Sequence, residues 1–124
     1  MSASAPRGAV AVVTEFLGCS EHADWTRAAG LLAPDLTRTG PDGAVVRGRA
    51  AYLALLQGLL GGITDYRYTV GRMVASADDR VVLVEIHEEL TEADGTPVAV
   101  DEAMVFDVTA DGRIAALSVY TKTT

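Results

Sequence analysis

The stretch Val84–Leu90, VEIHEEL, carries four ionisable side chains in five positions: Glu85, His87, Glu88 and Glu89. The preceding residues, Val81-Val82-Leu83, read as a buried strand. Charges inside a strand are costly unless they face water, a partner or a site. Histidine beside carboxylates is the combination that moves protons near neutral pH, with the carboxylate orienting the imidazole and raising its pKa.

The partners come from the downstream hairpin. Asp94-Gly95 lies between two strand patterns and predicts a two-residue turn. That turn places Glu89 opposite Val100, His87 opposite Glu102, Glu85 opposite Met104 and Leu83 opposite Phe106. Opposed side chains share a face. One face then holds apolar walls with a few ionisable groups, as a pocket does. His87 is the expected proton carrier and Glu102 its orienting carboxylate, the competing reading being a surface ion pair. Glu85, if buried, would act as an acid; otherwise it pairs with Arg38 or Arg72. Glu89 lies nearer the hairpin, toward solvent. The other face, with Val82, Val84, Ile86, Ala103 and Val105, needs a second cover, which a homodimer would provide. Glu88 and Asp101 fall on that side and are assigned no chemistry. A one-residue bulge would exchange Glu102 for Asp101 and leave His87 with a carboxylate either way.

The elements that must hold these groups follow from periodicity. Ala9, Val10, Val13, Phe16 and Leu17 form a helical stripe. Asp24 caps a second helix carrying Trp25, Ala28, Ala29 and Leu32, which Pro34 ends. DLTRT is a short extended segment and GPDG a turn. A third helix covers Arg49 to Leu60, with Tyr52, Leu53, Leu56 and Leu60 on one side and Gly61-Gly62 at its end. Strands follow from Asp65 onward, with Tyr66 and Tyr68 on one face of the first. A buried phenol there would pack and could also steady an oxyanion. Three helices and then strands make an α+β domain.

The chain has 124 residues and a net charge of −7, which suits one domain and argues against a sequence-independent nucleic-acid binder. No apolar run approaches the ~20 residues that span a bilayer. Met1–Arg7 reads as a loose tail before a single domain over 8–124. The one cysteine, Cys19, falls in an apolar helix and reads as core; nothing requires oxidation, so the expected compartment is the cytoplasm. His22 precedes a helix cap and is expected exposed. Glu85, His87 and Glu89 on one strand make a poor tetrahedral set, so no metal is expected. No phosphate loop or nucleophile elbow is present.

The segments VVTEFL, LLAPDLTRTGPDGAVVRGRAAY and MVFDVTADGRIAALSVY resemble the nuclear transport factor 2-like superfamily. Its members include SnoaL-like polyketide cyclases, ketosteroid isomerases and limonene epoxide hydrolases. The resemblance covers about Gly8 to Lys122. It implies a cone-shaped, curved antiparallel sheet wrapped around a pocket by three N-terminal helices. It also implies that the ketosteroid isomerase positions are taken by Phe16, Gly40 and Met104, so that chemistry is lost. The Arg, Asp and Asp of limonene epoxide hydrolases fall at Glu85, His87 and Val119. The same comparison puts Arg38 in the pocket and Val119 and Thr121 on its last-strand wall. The acid/base carboxylate of SnoaL-like cyclases falls at Asp101 or Glu102.

Together these readings imply a cofactor-independent acid/base enzyme for an apolar oxygenated metabolite, a polyketide-type cyclase or isomerase of secondary metabolism. His87, Glu102, Glu85 and Arg38 would be its catalytic set. Phe16, Tyr66, Tyr68, Leu83, Glu89, Val100, Met104, Phe106, Val119 and Thr121 would form its walls. The alternatives are an epoxide-opening enzyme and a noncatalytic small-molecule-binding domain.

Overall fold

The computed structural model describes residues 8–122; the expected tail, Met1–Arg7, lies outside them. Helix α1 (Ala9–Glu21) buries Ala9, Val12, Val13, Phe16 and Leu17. Val12 replaces the expected Val10, which sits at the flank of the stripe, 38% exposed. The first turn of α1 has no cap of its own; the Ala9 N–H donates to the Asp79 carboxylate at 3.2 Å, supplying the missing acceptor from a distant turn. Asp24 caps helix α2 (Trp25–Gly30) by accepting from the Arg27 N–H.

Helix α2 ends at Gly30 rather than at Pro34, which lies inside strand β1 (Leu32–Thr39). β1 turns through Gly40–Gly43 into β2 (Val45–Arg47), and helix α3 (Arg49–Gly61) follows, closed by Gly62. Four long strands complete the chain: β3 (Thr64–Ala75), β4 (Val81–Thr91), β5 (Pro97–Val108) and β6 (Ile114–Thr121).

The strands form one open, curved sheet in the order β2-β1-β6-β5-β4-β3. Every pairing is antiparallel except β1 with β6, which run parallel. The crossover through α3 and the long strands makes that parallel contact possible. Pairing of β3 with β4 shifts register between Val70 and Met73, and such irregularities bend a sheet. The helices fill the concave side. Phe16 stacks on Tyr52 with centroids 6.1 Å apart and meets Phe106 edge-on at 6.4 Å.

The hairpin register differs from expectation by one residue. Leu83 opposes Val105, Glu85 opposes Ala103, His87 opposes Asp101 and Glu89 opposes Ala99. The loop is three residues, Ala93 to Gly95, and not two. The Glu92 N–H donates to the Thr96 carbonyl at 2.8 Å, the Gly95 N–H donates to the Glu92 carbonyl at 2.9 Å, and Gly95 takes φ +89°. Asp94 locks the turn by accepting from the Thr96 N–H. A one-residue slip moves one strand's side chains to the other face. β5 keeps its expected orientation; β4 is reversed. Val82, Val84 and Ile86, expected on a dimer face, are core residues 0–5% exposed. Ala103 and Val105 do lie on the outward face.

Candidate functional site

The reversal of β4 decides which ionisable groups face the cone. Glu88 now points inward, two residues from Ile86 on the same face, while Glu85, His87 and Glu89 point outward with Leu83, which is 42% exposed. The expected pairing of His87 with Glu102 does not form. His87 Nδ1 instead meets the Asp101 carboxylate at 2.8 Å on the outer face, and Glu89 lies 3.8 Å from its Nε2. The hydrogen bond with Asp101 raises the His87 pKa, but the pair stands in solvent. Glu85 is held by Arg72 through a two-point ion pair, which lowers its pKa.

Inside the cone is a cavity of ≈150 Å³. Its apolar wall includes Phe16, Leu17, Leu56, Leu60, Met104 and Val119. Five polar side chains reach it: Ser20, Arg38, Tyr66, Glu88 and Glu102, and Tyr52 adds a phenol to the apolar side. Among the expected wall residues, Phe16, Tyr66, Met104 and Val119 are in place. Phe106 lies in the packed core, and Tyr68 is half-buried with its ring 6.4 Å from that of Tyr66. Val100 opposes Glu88, half-buried, while Thr121 is exposed opposite Glu102.

Electrostatics single out Glu88. Burial pushes its carboxyl above the usual range, partly offset by a hydrogen bond donated from the Tyr66 hydroxyl. The same burial, then the bond to Glu88, raises the Tyr66 phenol. A carboxyl kept toward its neutral form in an apolar site is a proton donor; the phenol beside it steadies the carboxylate after the proton leaves. Glu102 lies on the neighbouring strand, directly opposite Ile86. Arg38 approaches from β1.

Glu88, Tyr52 and Ser20 are polar cavity residues that sequence reasoning left out, and Leu17, Leu56 and Ile86 are among the apolar ones. Glu88 was hidden by the turn length alone. Tyr52 had a signal: a tyrosine on the buried stripe of a helix carries a hydroxyl that must find a partner or an opening.

The profile of the SnoaL-like domain matches residues 13–117, most of the chain. The chain belongs to the SnoaL-like family. No curated protein sequence matches it. Solved structures share the fold. The epoxide hydrolase/cyclase-like enzyme SalBIII, described in pyran ring formation in the polyether salinomycin, is 21% identical, with TM-score 0.79 over 90% of this chain and 88% of that one. A limonene-epoxide-hydrolase-like (LEH-like) epoxide hydrolase from M. tuberculosis is 24% identical, with TM-score 0.79 over 92% and 82%. An NTF2-like protein of unknown function from Burkholderia pseudomallei is 18% identical, with TM-score 0.80 over 91% and 89%. At these identities the likeness establishes the SnoaL-like fold and not a reaction. Among the described residues no helix is long and apolar enough to cross a membrane.

Proposed function

We propose that this SnoaL-like chain is an acid–base enzyme that closes a ring on a small, largely apolar oxygenated metabolite. The carrying observation is Glu88, hydrogen-bonded by Tyr66 inside an apolar cavity that raises its pKa. Ring closure needs one group to take a proton from the attacking hydroxyl or carbon and another to give one to the oxygen that gains charge. In this reading Glu102 takes the first role and Glu88 the second. Both proton transfers use side chains of the chain itself, so the reading requires no cofactor.

The cavity limits the substrate. A pocket of about 150 Å³ accommodates a benzene-sized molecule, and most ligand pockets are larger, roughly 300–1,000 Å³. A monocyclic product fits the space; a fused polycycle requires the α3 end, with Leu59 and Leu60, to move aside. An epoxide is one electrophile that this acid–base pair could open, and water in place of an internal hydroxyl would give a diol.

The test is a panel of small hydroxy-epoxides and hydroxy- or dicarbonyl compounds in H₂¹⁸O, with products read by mass spectrometry. Ring closure yields an isomer of the substrate without ¹⁸O. With the epoxide substrates, a diol carrying one ¹⁸O identifies epoxide hydrolysis instead. Glu88→Gln should lower kcat by about 100-fold or more while circular dichroism stays native. A Glu88→Gln variant as fast as wild type would remove the assignment.

Assembly as a homodimer, if it uses the outer face, must use outward residues: Leu83, Val74 and Tyr120, which are 42%, 55% and 58% exposed. Leu83→Glu should then yield monomers in sedimentation velocity; an unchanged sedimentation coefficient would remove this interface.

A further inference from the structure

We propose that Arg38 and Tyr52 form a carboxylate-binding corner in the cone, so that the substrate is a small monocarboxylic acid. The inference rests on the cone being the substrate site and names what that site selects.

Three observations carry it. The first is that Arg38, half-buried on β1 and lining the cavity, makes no hydrogen bond or ion pair among the described residues. A guanidinium held against apolar walls without a partner is costly, and a ligand anion would offset that cost. The nearby Asp42 does not fill this role: its carboxylate accepts from the Ala44 N–H and forms no ion pair with Arg38.

The second is Tyr52, 2% exposed and stacked on Phe16, whose hydroxyl also has no partner among the described residues. No fully enclosed side-chain oxygen or nitrogen there lacks a partner. The Tyr52 oxygen therefore opens onto the cavity it lines. Arg38 is close enough to pull the phenol pKa downward against the upward push of burial. A donor hydroxyl and a guanidinium on one side of an apolar pocket match the two oxygens of one carboxylate.

The third is Gly40. A Cβ at this position would stand 2.9 Å from Arg38 Nη1 and 3.4 Å from Cζ. Its φ is not in the left-handed region, so the backbone does not demand glycine here. The missing side chain makes room for the guanidinium where it lies. Glu88 and Glu102 face the same cavity and would repel an anion. The raised pKa of Glu88 reduces that repulsion, and the bound carboxylate would direct the remainder of the molecule toward both acids.

Benzoate and benzamide separate charge from shape, because they differ little in size. Titration calorimetry at pH 7 should give benzoate at least tenfold tighter binding than benzamide. Arg38→Met should bring the two within about twofold with benzamide affinity retained. Gly40→Ala should weaken benzoate selectively by displacing the guanidinium, and Tyr52→Phe should weaken it by a smaller factor. Glu88→Gln should keep or strengthen the benzoate preference while losing turnover. This last variant separates the two readings: lost turnover with no preference sinks the corner alone, and kept turnover with a preference sinks the catalytic role of Glu88 alone. Equal affinity for both probes, a preference that survives Arg38→Met and Gly40→Ala, or no binding of either probe would overturn the proposal.

Discussion

Glu88 and His87 are neighbours in sequence and opposites in environment. One is drawn into an apolar cavity and loses the solvent that favours its charge; the other stands in water beside Asp101. The same residue types therefore carry different chemistry. On the proposed acid–base reading, His87→Ala should change turnover by no more than about twofold to threefold, measured on any compound that the chain converts. A larger loss would return His87 to the mechanism. Because Asp101 raises the His87 pKa, the pair supports the fold while the imidazole is charged. The thermal-stability difference between wild type and His87→Ala should be full below about pH 6.5 and disappear as pH rises through the raised value. Tyr66→Phe tests the inner pair. The Tyr66 hydroxyl lowers the Glu88 pKa against burial, so its removal should move the Glu88 carboxyl titration upward. Carboxyl ¹³C shifts measure this directly, and a downward move would contradict the hydrogen bond's direction.

At the scale of elements, one turn residue decides the site. Helices α1 and α3, the long strands and the hairpin itself were legible from periodicity and turn chemistry, whereas the end of α2 was not, because Leu32 continues its apolar spacing yet opens β1. The inward face of β5 was legible too: Glu102, Met104 and Phe106 all point into the cone side. What the sequence left open was whether Asp94-Gly95 closes a two-residue loop or ends a three-residue one, since both use glycine at positive φ. That single residue reversed β4, exchanged His87 for Glu88 in the cavity and turned Val82, Val84 and Ile86 from an expected interface into core. The parallel pairing of β1 with β6 was likewise invisible, because it joins segments 75 or more residues apart that carry no local signal of partner choice. Gly95 holds φ +89° and has open space around it, so only backbone strain opposes a side chain there. Gly95→Ala should destabilise by about 1 kcal/mol in urea unfolding, without changing which residues line the cone. A neutral result would mean that the turn tolerates a different geometry.

For the molecule as a whole, the cone is a compromise between packing and use. Phe16, Tyr52 and Phe106 pack together in the core, and the first two also wall the open space in which a raised-pKa acid stands. Such an acid costs the fold stability in a defined pH window. Below the pKa of an unfolded-chain glutamate, about 4.3, both states hold the proton and Glu88 contributes nothing to the balance. As pH rises, the unfolded chain releases its proton first, so folding is progressively disfavoured until the pH passes the raised native value. Glu88→Gln removes the ionisation and keeps an oxygen to accept from Tyr66. It should therefore melt higher than wild type at pH 8, by roughly 2–5 °C, with the gap closing as pH falls toward 4. Differential scanning calorimetry of the two proteins across that range measures it. A Glu88→Gln variant less stable than wild type at pH 8 would mean that the native state favours the Glu88 carboxylate, and the residue would then be a base rather than the acid assigned to it.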